Sequence, residues 1–151
     1  MIVGKTKVKT AVSVAFILER ERDSTINEWL KRVNLVAELT KIPLSDANRT
    51  GHLPKLFDDL LSRLRRGRDG QPIISIAAAV HGNERFQQGY SPSMLVEESR
   101  IFQVSTFSTL HRHQRELDQS DVLLDVITIA DEADRQLTES VRSFMTARAA
   151  D

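Results

Sequence analysis

His81-Gly82-Asn83-Glu84-Arg85-Phe86-Gln87-Gln88-Gly89-Tyr90-Ser91-Pro92-Ser93-Met94-Leu95-Val96-Glu97-Glu98-Ser99-Arg100-Ile101-Phe102 reads as two helices joined by a tight turn. Gly89 suits the end of the first helix, because glycine enters left-handed backbone without a steric penalty. Ser91-Pro92 then reads as an N-cap followed by a first-turn proline, whose missing N–H removes nothing the helix would use. On the first helix His81, Arg85 and Gln88 lie four and three residues apart and share a side. If the second helix folds back after Gly89, Glu98 faces Arg85 or His81 across the turn. A charge-assisted pair there would set the angle between the helices. The expected anchors of this polar clasp are His81, Arg85, Gly89, Ser91 and Glu98. Two readings remain open for it, a structural lock around a helix turn and a ligand-sensing pocket.

Upstream, Pro72 is expected in the first turn of the His81 helix, with Ile73, Ile76, Ala77 and Val80 facing inward. Before it, Leu53-Pro54 opens a strong amphipathic pattern. Leu56, Phe57, Leu60, Leu61 and Leu64 cover one face, and Gly67 and Asp69-Gly70 close the helix. From about Thr10 to Val36 the apolar residues Val12, Phe16, Ile26, Leu30 and Val33 keep close to a helical period. One long helix is expected, with Asp23-Ser24-Thr25 and Glu28 as an alternative internal cap.

Downstream, the helix from Pro92 to about Leu117 spreads Leu95, Val96, Ile101, Phe102, Val104, Phe107 and Leu110 around most of its circumference, as a central helix would. A last helix, roughly 120–148, spaces Leu123, Ala130, Leu137 and Phe144 by seven residues, with Val126 and Ala133 between them. This is a bundle or short coiled-coil seam, a candidate dimer or output face. No alternating Val/Ile/Thr-rich segment competes for a strand. The expectation is an all-α bundle of about five or six helices in one domain over 1–151, with its core at about 10–148.

The 151 residues can remove roughly 68–70% of the unfolded surface from water, so the chain folds without staples. Twenty-one basic residues balance twenty-one acidic ones, which removes the general attraction to nucleic acid or an anionic membrane. There is no cysteine, which excludes disulfides, thiolate metal sites and cysteine nucleophiles and suits a reducing cytoplasm. No stretch approaches the apolar length of a membrane span, and the basic N-terminus lacks a cleavage site and is not read as a signal peptide.

The remaining motifs are weak. Gly4-Lys5-Thr6 lacks the earlier glycine of a phosphate-binding loop. Asp131-Glu132-Ala133-Asp134 reads as a solvated helix face. His111 and His113 diverge by about 200° on a helix, too far for one metal. Arg63, Arg65, Arg66 and Arg68 fall in a last helical turn, where cations meet the dipole favourably. No serine sits in a nucleophile-elbow context, and the carboxylates are scattered, so no enzyme is expected.

The chain resembles the RsbRD-type N-terminal domain of RsbT co-antagonist proteins and some bacterial sensor kinases. The resemblance rests on His81-Gly82, Arg85, Gly89-Tyr90-Ser91, Leu95-Val96 and Glu98, with Ile26-Asn27-Glu28-Trp29-Leu30 and Leu53-Pro54-Lys55-Leu56-Phe57 before them. Gln103 stands where the family pattern often carries an arginine. The resemblance implies an all-α input domain, loosely globin-like without an obligatory haem, that biases a downstream kinase or regulatory partner. The expected function is a non-catalytic, cytoplasmic signal-input domain acting through homodimerisation and helix rearrangement, without nucleic acid, membrane insertion, metal or cofactor. The alternative is a haem- or small-ligand-binding sensor with His81 as its axial ligand.

Overall fold

A computed structural model describes residues 10–67 and 69–151, and among them the regular structure is helical. The elements are α1 (Val14–Arg20), α2 (Arg22–Val33), α3 (Ala37–Thr40), α4 (Asp46–Thr50), α5 (Leu53–Arg66), α6 (Ile76–Gln87), α7 (Pro92–Arg112) and α8 (Val122–Ala150), with one 3₁₀ turn at Gln114–Glu116. Eight helices replace the expected five or six because α3 and α4 are one-turn pieces in the turn-rich stretch before α5 and because the first helix is divided.

That division falls at Glu21. The Ser24 and Thr25 hydroxyls donate to its carbonyl at 3.0 and 2.8 Å, a local competition that bends helices. Asp23-Ser24-Thr25 therefore lies inside α2 and does not cap it.

α5 follows its pattern, burying Leu53, Leu56, Phe57, Leu60 and Leu61 and ending at Gly67, whose φ is 72°. α7 packs against α1, α2 and α8. It buries Leu95, Ile101, Phe102 and Leu110, but Val96 faces solvent, so the helix is covered on less of its circumference than expected. It also stops before Leu117. Val12 takes over the end of this region, donating to Glu116 O at 2.9 Å and accepting from Asp118 N–H at 3.0 Å, which holds Leu117 extended and buried. The core is closed by two edge-to-face pairs, Phe57 with Phe102 at 6.0 Å and Phe86 with Phe144 at 5.4 Å between ring centres.

α6 departs most from expectation. It begins at Ile76, four residues after Pro72, because Ser75 takes the cap. Its hydroxyl accepts from Ala78 N–H at 3.0 Å and donates to Asp59 at 2.6 Å. Its faces are reversed as well: Ala78, His81, Gly82 and Arg85 are buried, while Ile73, Ile76 and Val80 are exposed and Ala77 is half-buried. The reason is the approach to α8. A Cβ on Gly82 would lie 2.0 Å from Ser140 O, so the two backbones touch where only Ala78 and Gly82 leave room. An isoleucine stripe would hold them apart. Replacing Ser75 with alanine removes the cap and leaves Asp59 without its donor; a loss of about 1–2 kcal/mol in urea unfolding is expected, and an unchanged midpoint would show that α6 does not start there.

Candidate functional site

α6, the turn after it and α7 bring His81, Arg85 and Glu98 together in the interior. Arg85 is 1% exposed, Glu98 4% and His81 8%. Arg85 Nε lies 3.2 Å from Glu98 Oε2 and Nη2 lies 3.1 Å from Oε1, a two-point contact, while His81 Nε2 lies 3.3 Å from Oε2. Charged groups are buried at acceptable cost only when paired and hydrogen-bonded. Arg85 meets that condition through further acceptors. Nη1 donates to Gln88 Oε1 at 2.7 Å and Asn48 O at 3.1 Å, and Nη2 donates to Arg49 O. Asn48 and Arg49 belong to the short α4, whose last carbonyls have no partner within their own helix. One guanidinium thus joins α6, α7 and α4.

The turn residues place these groups. Gly89 has a φ of 90°, and Tyr90 N–H donates to Arg85 O at 3.0 Å, the six-to-one bond of a glycine-ended helix. Ser91 accepts from Met94 N–H at 3.4 Å and starts α7. Between them Tyr90 turns inward, its ring centre 4.7 Å from the Arg85 guanidinium carbon.

Arg49 and His52 carried no signal in the sequence, and Trp29 was marked only as part of the motif that carries the resemblance. Arg49 is 3% exposed and donates to Leu39 O at 3.1 Å, Ile42 O at 2.7 Å and Tyr90 Oη at 3.3 Å, tying α3 and α4 to the turn. Trp29 on α2 donates its indole N–H to Glu98 O at 3.2 Å. His52 sits 2.9 Å from Glu84 and edge-on to His81, with ring centres 6.0 Å apart. Short, irregular segments hold Arg49 and His52, and no periodicity points to them.

Burial by itself would raise the Glu98 carboxyl, but the His81 hydrogen bond and the Arg85 charge outweigh it and hold the group below the usual carboxylate range. Burial, reinforced by the Glu98 charge, pushes the Tyr90 phenol up. Burial also lowers His52, against the opposing pull of Glu84. Glu98 is thus an ionised, held group, suited to fixing helices in place. Proton transfer would call for a freer one.

His81 Nε2 is taken by Glu98, and the cavity beside it measures about 40 Å³, whereas pockets for ligands of drug size or larger run to roughly 300–1,000 Å³. Among the described residues no group of three or more histidines and carboxylates could hold a metal ion.

The other sequence candidates are paired elsewhere. Arg63 meets Asp131 at 2.6 Å and the buried Glu132 at 3.2 Å, so the acidic stretch on α8 is a partly buried ion-pair site and not a wholly solvated face. Arg65 pairs with Glu19 and Arg66 with Ser62. His113 turns to Glu116 at 2.9 Å, and His111 is exposed. Gln103 donates to Asp134 at 3.1 Å. Gly4-Lys5-Thr6 and Arg68 lie outside the described residues.

On α8, Ala133 and Phe144 are buried in the chain's own core, and Val126, Ala130 and Leu137 are half-buried. Leu123 is 74% exposed, and Leu124 and Ile127 beside it are exposed too. The heptad stripe is therefore mostly an intramolecular seam, because α8 lies against α5, α6 and α7. Among the described residues no helix is long and apolar enough to cross a membrane.

No curated protein and no solved structure matches the chain. Residues 26–151 match the family model described as the RsbT co-antagonist protein RsbRD N-terminal domain, a stretch that contains α2 from Ile26 onward, the whole ionic clasp and α8. The chain belongs to that family of signalling and regulatory domains.

Proposed function

We propose that this chain is a non-catalytic, cytoplasmic input domain that acts as a homodimer and biases a downstream kinase or regulatory protein. The observation that carries the reading is the coupling of the clasp to α8. His81 and Arg85 lie on α6, the same helix whose Gly82 touches the backbone of Ser140 on α8. A change in the angle between α6 and α7 therefore moves the long terminal helix, and packed helices of this kind shift between discrete arrangements.

For the dimer, the first two turns of α8 supply Leu123, Leu124 and Ile127, three large apolar side chains in a row on an exposed surface. The rest of the heptad stripe would have to leave the core to join them. Light scattering across a dilution series tests the assembly: the wild type should weigh two chains, and Leu123→Asp with Ile127→Asp should weigh one while keeping the same helical circular dichroism. A wild type that stays monomeric at high concentration would remove the dimer from the reading.

A further inference from the structure

His52 stands where an open surface groove meets the clasp. Val80, Glu84 and Gln87 of α6 and Ser143 of α8 border the groove, and His52 forms part of its wall. On the inner side its ring meets His81 edge-on. Its Nδ1 is buried and lies 2.9 Å from Glu84 Oε2, but outside hydrogen-bond geometry. A neutral imidazole gains little from such a contact, whereas an imidazolium gains an ion pair. From Glu84 a polar chain leads inward. Glu84 Oε1 accepts from Gln88 Nε2 at 3.4 Å, Gln88 Oε1 accepts from Arg85 Nη1 at 2.7 Å, and Arg85 holds Glu98. A second connection is covalent: only Gly51 and Thr50 separate His52 from Arg49, whose carbonyl accepts from Arg85 Nη2.

We propose that His52 is a proton-operated switch: protonated from the groove, it takes Glu84 into an ion pair, leaves His81, and resets the clasp through Gln88 and the bend after α4. The charged groups facing the ring are Lys55 on α5 and Glu84 and Arg85 on α6, with Glu98 on α7 behind His81. Arg49 on α4 turns its guanidinium to Leu39 O and Ile42 O, and α8 and α2 present only Ser140, Ser143 and Trp29 to this region. Lys55 and Arg85 repel the added charge while Glu84 attracts it, so the protonated ring is drawn toward the groove. Burial holds the His52 imidazole below its ordinary value of 6.5, and the switch therefore works on the acid side of that value. This deepens the input-domain reading by naming protons as the signal, and it rests on that reading only for the output through α8.

NMR spectra of the full chain, titrated from about pH 8 to about pH 5, test the switch. The His52 imidazole should titrate in this range, and the backbone amides of Arg85, Glu98 and Ser140 should shift with the same midpoint. His52→Gln, uncharged at every pH, should hold those amides still. Glu84→Gln removes the attracting carboxylate and should move the His52 midpoint to lower pH, with the clasp amides following it. Clasp amides that ignore the His52 midpoint, or that still titrate in His52→Gln, overturn the proposal. If His52→Gln fails to fold, a midpoint unmoved by Glu84→Gln overturns it as well. Light scattering at both ends of the titration reads the dimer separately: clasp amides that follow His52 in a chain that stays monomeric keep the switch and remove the dimer.

Discussion

Glu98→Ala is expected to destabilise the domain by about 3–5 kcal/mol, the penalty of leaving a buried charge without its partner. Arg85 would keep its carbonyl acceptors on α4 and Gln88 but lose the buried carboxylate it pairs with. Against a total of roughly 5–15 kcal/mol for a domain, this approaches the unfolding threshold, and equilibrium denaturation at neutral pH measures it. The double variant Arg85→Met with Glu98→Leu should recover much of the loss, because apolar groups of similar volume often replace a buried ion pair without harm. If the single and double variants unfold alike, the pair is not what holds α6 to α7. The double variant also separates stability from signalling: a folded protein that no longer regulates its partner would place the role in the charges themselves.

The same carboxylate predicts a pH dependence. Its pKa in the folded state lies below the ordinary value of 4.5, so its contribution is fully present above the unfolded-state pKa and is lost as pH falls through the folded one. Stability should therefore decline on the acid side of about pH 4.5 in the wild type, and this part of the decline should be missing in the double variant. Arginine stays charged throughout that window.

Gly82→Ala carries the other large effect, and its sign is diagnostic. In a free helix the change would stabilise by about 1 kcal/mol. Here the new Cβ would lie 2.0 Å from Ser140 O, 2.7 Å from Ser140 C and 2.8 Å from its Cα. All three are backbone atoms, which cannot rotate away as a side chain can. α6 and α8 must separate, losing the 2.8 Å bond from the Ser140 hydroxyl to Ala78 O and the packing around it. Overpacking of this kind costs typically 1–3 kcal/mol, and the backbone clash puts the expected net loss at about 3 kcal/mol, measured by thermal or urea unfolding. Ser140→Ala, which removes only the hydroxyl, should lose about 1 kcal/mol. A more stable Gly82→Ala would mean that the two helices do not meet there.

Gly82 has one appearance in the sequence and another role in the fold. In sequence it stands beside His81 as part of a polar helix end, while Ile76 and Val80 look like the packing face. Hydrophobic periodicity assumes that a helix is buried by its large side chains. α6 is instead buried by the absence of one, which allows a closer approach than any isoleucine stripe and leaves Ile76 and Val80 outside. Arg49 and His52 were illegible for another reason: they sit in a one-turn helix and the bend after it, and their partners are backbone carbonyls and a distant glutamate. On α8 the heptad spacing was visible, but the same spacing suits a second chain or the chain's own α5, α6 and α7.

By itself the sequence determined the local order: helix ends at Gly67 and Gly89, a cap at Ser91, an all-α chain, and three polar residues spaced so that a back-folded turn could join them. These follow from short-range sterics and hydrogen bonds, which depend on neighbours in the chain. Only the tertiary structure decided which face of each helix is inside, that Arg85 also holds α4, and that α8 is covered along most of its length. Those outcomes depend on how closely two backbones approach, a distance set by both helices together.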